Sequence, residues 1–223
     1  MLPIFILIGL FIMSDIILDK QYNIKGVYYI NHFICNMIVV YNTFDCMISS
    51  YKGIQSYSNT CNVDSLYFAK YTIYALHLYH MLCYYNKLRY DDWVHHLLMV
   101  GISLPLTEFI DKYNIIGHCM FFTTGLPGGI DYFLLALVRN NIIDKCIEKK
   151  INKYINVWIR CPGCISNVTL SIFSLIYLYE VSNNINIIAC IIIMLSVYWN
   201  GIYFMEQVVC DYTKYSMSID KKT

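Results

Sequence analysis

The chain has 223 residues, of which 58% are hydrophobic and only 14% are charged, and its mean hydropathy is +0.49. Soluble globular proteins carry about 25% charged residues, so this composition argues against a water-soluble domain and indicates an integral membrane protein. The net charge of +1 offers no basic surface for nucleic acid, and no nucleic-acid partner is expected.

Seven apolar segments follow one another along the chain, each close to the ~20 residues that span a bilayer as a helix. They are predicted at residues 2–18, 27–49, 66–86, 93–110, 114–138, 154–179 and 184–209. The first lacks the basic start and the small-residue cleavage site of a signal peptide, so it is expected to remain as a helix. Helices satisfy their own backbone hydrogen bonds in lipid, and the residue alternation of a β-barrel is missing.

The expected fold is therefore an all-α, polytopic bundle of about seven transmembrane helices. Along the chain it divides into a first helix with a short cytosolic loop (1–26), a six-helix membrane domain (27–210) and a cytosolic tail (211–223). Residues 139–153 form the largest predicted cytosolic loop. The sequence contains no internal repeat and no linker.

Basic residues concentrate after the odd-numbered segments, which predicts the orientation of the bundle. These residues are Lys20, Lys25, Lys87, Arg89, Arg139, Lys145, Lys149, Lys150, Lys153, Lys214, Lys221 and Lys222. The other side offers only Lys52 and Lys112, with Lys70 just inside the third segment. Because cytosolic loops carry an excess of lysine and arginine, the N-terminus is predicted to be lumenal and the C-terminus cytosolic.

Titratable residues are costly inside a membrane and usually face the interior of a bundle. A rise of ~1.5 Å per helical residue, counted from the cytosolic ends, places one layer of such groups on five helices. Its members are His80, His95, His96, Asp131, Arg160 and Glu206. His77 lies one turn deeper than His80 on the same face. This pattern favours a polar cavity open to the cytosol, and the alternative is that each group snorkels or pairs singly.

The fifth segment contains the sequence TTGLPGGID, residues 123–131, in which Pro127 and three glycines weaken the helix. An interrupted helix that lines a cavity is one interpretation of this stretch. Close packing through small residues is the other. Both can hold, because close packing would bring Asp131 toward its partners.

Six histidines and ten cysteines are the residues of this chain suited to metal or redox chemistry. Membrane di-iron enzymes use more histidines than the six present here, so no metal and no other cofactor is expected. The sequence RCPGC contains Cys161 and Cys164 but begins an apolar helix without a βαβ unit, which predicts packing cysteines. Cys61 follows the second segment on the lumenal side, where either Cys46 or Cys119 is a possible disulfide partner.

One pair of motifs resembles the TLC-domain family of multi-pass membrane proteins. DDWVHHLL carries His95 and His96 at the start of one helix, and GLPGGIDYFLLALV carries Asp131 in the next helix, 35 positions after His96. The resemblance covers roughly residues 27–210. It implies a catalytic role for His95 and His96, with Asp131 as the third candidate of that centre. The layer of titratable residues adds His77, His80, Arg160 and Glu206 as weaker candidates for substrate binding. The ceramide synthases of that family have a His-Asp step shortly before their last acidic residue, and here Pro127 and Gly128 occupy that region.

The resemblance also implies a function and a location. The leading expectation is a protein of lipid synthesis, sensing or homeostasis in the endoplasmic reticulum, which binds an acyl lipid between its helices. The alternative is an acyl-CoA-dependent N-acyltransferase of the ceramide synthase type, and the third is a non-catalytic scaffold or lipid transporter. Membrane lipids and fatty acyl-CoA are the expected partners, and whether the protein is an enzyme is left open.

The arrangement of the histidine pair can be predicted in more detail. Neighbouring residues on a helix point about 100° apart, so one of His95 and His96 is expected to face the cavity and the other an adjacent helix. Together they are expected at the cytosolic mouth, facing Asp131 across the fourth and fifth helices.

Overall fold

A computed structural model describes residues 2–52, 61–110, 113–178 and 184–220. The described residues form seven continuous helical stretches and no strand, which confirms the all-α expectation. The stretches are α1 (Leu2–Gln21), α2 (Val27–Ser49), α3 (Val63–Cys83), α4 (90–109), α5 (113–139), α6 (145–178) and α7 (Asn184–Asp220). Lys112, Lys221 and Lys222, which belong to the charge pattern, lie outside the described residues.

Four of these helices, within the described residues, are long and apolar enough to cross a membrane. They are Leu2–Gln21, Asn114–Arg139, Lys145–Ile176 and Asn184–Ser218. The protein is therefore compatible with insertion in a membrane through α1, α5, α6 and α7. Helices α2, α3 and α4 fall outside this set, and they are the helices that carry five of the six histidines.

Four helices contain a stretch of wider π-helix. In α1 it forms the last turn, Ile16–Gln21, and in three others it lies inside the helix and ends two residues before a proline. The three are Met99–Ser103 in α4, Phe121–Gly125 in α5 and Asn156–Arg160 in α6. Proline has no amide hydrogen and its ring clashes with the carbonyl of residue i−4. The residue before each proline donates instead to the carbonyl five residues back, as Leu126 does to Phe121. The helix continues through the proline, and its faces are rotated by the extra residue.

The boundaries of two helices differ from the sequence expectation. Residues 139–153, expected as a loop, include the helix Lys145–Ile155, which begins α6 nine residues before the predicted segment. Helix α7 continues well beyond residue 209 and reaches Asp220. The two extensions pack together, because Lys149 pairs with Asp211 and Lys153 lies over the ring of Tyr212 at 4.2 Å. Contacts between helices thus order segments that hydropathy alone treats as loop and tail.

The bundle has two chemically different ends. At one end α1, α3 and α5 finish while α2 and α4 begin, and a cavity there is lined by Lys20, Lys87, Arg89 and Arg139. We call this the basic end. At the opposite end a disulfide joins Cys46 at the finish of α2 to Cys61 just before α3. Of the two possible partners for Cys61, the structure selects Cys46, and Cys119 is a free thiol.

Glycines of α5 bring that helix close to α2, which lies near the centre of the bundle. A Cβ atom on Gly128 would lie 2.8 Å from Asn36 Nδ2, and one on Gly129 would lie 2.4 Å from Met37 Cε. The small-residue interpretation of this stretch is confirmed. The helix is not interrupted there: Phe121–Gly125 is wider π-helix, and the helix continues through Pro127.

Candidate functional site

Five histidines from three neighbouring helices meet in the interior near the basic end of the bundle. They are His32 of α2, His77 and His80 of α3, and His95 and His96 of α4. We call these five residues the histidine cluster. His32, His77, His80 and His96 are buried, and His95 is partly buried. Polar rings at these positions explain why α2, α3 and α4 are less apolar than the other helices.

One part of the histidine cluster is a pair between α2 and α3. His32 Nε2 lies 3.1 Å from His80 Nδ1, and the two rings are 4.0 Å apart at their centres. Tyr132 of α5 stacks on His32 at 3.7 Å, and Tyr28 of α2 stacks on His80 at 4.2 Å. The pair is thus held between two aromatic faces, which restricts both rings to a single orientation.

The other part joins α3 to α4 through His77, His95 and His96. His77 Nε2 lies 3.4 Å from His95 Nε2, and its other nitrogen, Nδ1, lies 2.8 Å from the carbonyl oxygen of Ile73. His96 lies beside both histidines of α3, with ring centres 5.1 Å from His77 and 5.5 Å from His80. One potential ligand atom from each of His77, His95 and His96 lies within 4.8 Å of the others.

The two histidines of the HH motif face different neighbours, as their 100° separation requires. His96 is buried against α3. His95 lies between α3 and α7, where its ring is 6.2 Å from that of Phe204. Asp92 lies one turn before His96 on α4, and its negative charge interacts with the His96 ring.

A cavity of about 940 Å³ opens at the basic end next to the histidine cluster. Its polar lining includes Asp15, Asp92 and Asp131, and Tyr28, Tyr84 and Tyr132 also line it. Because Tyr28 and Tyr132 stack on His80 and His32, these tyrosine rings separate the cavity from the histidines. Water or a polar ligand in the cavity would therefore reach the cluster through the tyrosines.

A second cavity, of about 270 Å³, runs between α4 and α7 and ends on His95. Its lining is His95, Leu98, Met99, Ser103, Leu195, Ser196, Trp199 and Asn200. From His95 to Ser103 the groove follows α4 for about 12 Å at the helical rise of 1.5 Å per residue. Leu98, Met99, Leu195 and Trp199 give it apolar walls that suit an apolar group, with the His95 ring beside them. We call it the α4–α7 groove.

The remaining candidates from the sequence are divided between the site and its surroundings. Asp131 lines the large cavity, and its charge interacts with that of Arg160, which is buried on α6. The Arg160 guanidinium lies 4.8 Å above the ring of Phe204, which in turn contacts His95. The charge of Arg160 thus acts on both Asp131 and His95. Glu206 is exposed on α7, away from these contacts.

His32 belongs to the histidine cluster but was not among the sequence candidates. The signal that could have found it is its depth, because His32 lies only five residues after the start of α2 at Val27. The distance along the helix axis from the basic end, at 1.5 Å per residue, places His32 in the same layer as His80 and Asp131. His118, by contrast, lies outside the cluster, where it contacts Tyr51 at 2.8 Å and Asn167 at 3.2 Å.

Comparison of the chain with protein-family models, with curated proteins and with solved structures finds no match. The chemistry of the site must therefore be inferred from its residues.

Proposed function

We propose that this protein is a TLC-type integral membrane protein that binds an acyl lipid and serves lipid synthesis, sensing or homeostasis. All seven helices cross the membrane in this proposal, and the basic end faces the cytosol from the endoplasmic reticulum. The lipid chain occupies the α4–α7 groove, and the polar head lies toward His95 and the large cavity. The HH motif with Asp131 supports assignment to the TLC type.

The observation that carries the proposal is the groove itself. An apolar cleft that ends on a buried or half-buried polar group matches an amphipathic ligand, because apolar walls give affinity and a few polar groups fix orientation. His95 supplies such a group. Its neighbour Phe204 contacts the His95 ring and also lines the large cavity. The residues Leu98, Leu195 and Trp199 supply the apolar walls.

Adjacent leucines on α4 provide a matched test of lipid binding. Leu98 lines the groove, whereas Leu97 is 68% exposed on the outside of the helix. Leu98→Trp fills the groove and is expected to reduce co-purified lipid by roughly tenfold, which corresponds to about 1.4 kcal/mol of binding free energy. Leu97→Trp, the same change one position away, is expected to leave the lipid content unchanged.

Mass spectrometry of lipids extracted from protein purified in mild detergent gives the readout. Gel filtration of each variant shows whether it remains monodisperse. Equal lipid content in wild type and Leu98→Trp would place the lipid elsewhere and contradict the proposal.

An acyl-CoA-dependent N-acyltransferase is the second candidate, and one observation favours it. His77 Nδ1 must donate to the carbonyl of Ile73, so the neutral ring presents an unprotonated Nε2 toward His95 at the end of the groove. His95, which lines the groove, can then accept a proton from an attacking amine on one ring nitrogen and donate the proton of its Nε2 to His77. Labelled sphingoid base and acyl-CoA supplied to the purified protein test this candidate. Reproducible N-acylation that His95→Ala abolishes would support it, and bound lipid without turnover would favour binding alone.

A further inference from the structure

Three histidines converge in the interior in an arrangement that the proposed lipid function does not require. His77 comes from α3, and His95 and His96 come from α4, and one ring nitrogen of each lies within 4.8 Å of the others. We propose that His77, His95 and His96 bind a divalent transition-metal ion, with Zn²⁺ as the ion that the geometry fits best. Imidazole nitrogen is a preferred ligand of Zn²⁺ and of neighbouring first-row metals.

His77 is already arranged as a metal ligand. A carbonyl oxygen only accepts, so the 2.8 Å contact with Ile73 requires a proton on Nδ1. The neutral ring then has its lone pair on Nε2, which faces His95. Histidines that bind metals commonly donate their second nitrogen to a backbone carbonyl in this way, since the bond sets the tautomer and fixes the ring.

The distance between His77 and His95 agrees with a shared ion. Their Nε2 atoms are 3.4 Å apart. Two nitrogens bound to tetrahedral zinc at 2.0–2.1 Å lie about 3.3 Å from each other. An ion can therefore bind between these two atoms with almost no movement of either ring. His96 completes the set by a small rotation of its side chain.

His96 supplies the independent observation that the site has a ligand. Its side chain is buried, with 4% of the residue exposed, yet neither Nδ1 nor Nε2 has a hydrogen-bond partner. Buried polar side-chain atoms are almost always paired, because an unpaired one loses its hydration without compensation. A metal ion between His77, His95 and His96 would bind one of these nitrogens.

Three histidines leave one position of a tetrahedral ion open. His80, whose buried Nε2 has no hydrogen-bond partner, is the nearest further histidine, with its ring centre 5.5 Å from that of His96. A water molecule or His80 can complete the coordination. Asp92 adds a negative charge near His96, and the positive charge of Arg160 near His95 is offset by Asp131.

The expectation of no metal came from the number of histidines, which is too small for a two-iron site. A single ion needs only three ligands. The spacing of His77 and His95 along the sequence does not reveal that the two rings meet, because α3 and α4 are separate helices. The proposal concerns metal binding alone and does not depend on a bound lipid.

The test measures metal in the full-length protein, purified in detergent with an affinity tag that contains no histidine. After treatment with a chelator, the protein is titrated with Zn²⁺ and with Co²⁺, and metal content is measured by inductively coupled plasma mass spectrometry. We expect one ion per chain with sub-micromolar affinity. His77→Ala, His95→Ala and His96→Ala should each weaken binding by more than about 100-fold, beyond the 10–100-fold typical of residues around the ligands. His118→Gln, a buried histidine outside the cluster, should bind as wild type does.

The Co²⁺ absorption spectrum is a second measurement that needs no variant. Nitrogen and oxygen ligands give visible bands of tetrahedral Co²⁺ without a sulfur-to-metal charge-transfer band. A charge-transfer band would assign the ion to cysteines such as Cys161 and Cys164, and would overturn the proposal. Wild type without sub-micromolar binding, or full binding by any of the three alanine variants, would also overturn it.

Discussion

Lys70 is buried within α3, and the charge on its Nζ is balanced by the carboxylate of Glu108, with the ring of Tyr67 4.8 Å away. Only 1% of the residue is exposed, and Nζ donates to Glu108 Oε1 of α4 at 2.9 Å. The two partners differ, because the Lys70 side chain is 2% exposed and the Glu108 side chain is 44% exposed. Glu108 can therefore be hydrated without its partner, whereas Lys70 cannot.

This difference predicts unequal effects of removing each partner. Glu108→Ala leaves a buried ammonium group without a counter-charge and is expected to lower the free energy of unfolding by about 3 kcal/mol. Lys70→Met should cost less, since the remaining carboxylate meets water. Thermal unfolding in detergent measures both. Asp211→Ala, which removes the exposed partner of Lys149, serves as the control and should cost under about 1 kcal/mol. Equal losses for Glu108→Ala and Asp211→Ala would contradict this account.

Helices α2 and α5 approach each other through glycines, and the tolerance of each glycine depends on what faces it. A Cβ atom on Gly117 would lie 2.3 Å from Cys46 Cβ, and Cys46 is held by its disulfide to Cys61. A Cβ atom on Gly129 would clash with the methyl end of Met37, at 2.4 Å, and would lie in near-normal contact with Asn36 Cβ at 3.4 Å. The first neighbour has no room to move, and the second is a flexible side chain.

Gly117→Ala is therefore expected to destabilise the bundle by about 1–3 kcal/mol, the usual cost of forcing a methyl group into a packed contact. Gly129→Ala should cost less than about 1 kcal/mol, because Met37 can change its rotamer. Gly9 of α1 has no neighbouring atom within 4 Å of the added Cβ and provides the unhindered control. Melting temperatures of the three variants test this ranking of stability losses. A loss of stability in Gly129→Ala as large as that in Gly117→Ala would argue against it.

The orientation of the whole molecule can be tested through its cysteines. Cys83 and Cys210 are exposed free thiols, and Cys83 lines the cavity at the basic end. Cys46 and Cys61 form the disulfide at the other end, which is expected in the oxidising lumen. The proposed orientation therefore has free thiols on the reducing side and the disulfide on the oxidising side.

In sealed microsomes, a membrane-impermeant maleimide should label Cys83 and Cys210 without detergent. Cys46 and Cys61 should be labelled only after both permeabilisation and reduction. Mass spectrometry of variants that retain only one of these cysteines shows which cysteine is labelled. Labelling of Cys210 that requires permeabilisation would reverse the proposed orientation.

Much of the fold was predictable from local sequence properties. Seven apolar segments correspond in order to the seven helical stretches, and hydropathy located most of their boundaries within a few residues. The exceptions have local or tertiary causes. Helix α3 begins three residues early because Asn62 caps it, accepting from the backbone amides of Asp64 and Ser65. The extensions of α6 and α7 depend on each other, so neither could be read from its own composition.

The sequence by itself determined the all-α class, the apolar helices and the prolines that follow three of the wider helical stretches. These follow from composition and helical rise, which are local properties. Only the tertiary structure decided that His32 joins the cluster, that the charges of Arg160 and Asp131 interact and that His77 meets His95 and His96. Each residue along a helix turns the side chain by about 100°, so such contacts depend on the rotation of each helix against its neighbours. That rotation is set by packing between helices, as where the glycines of α5 contact α2, and it is not encoded in the depth of any single residue.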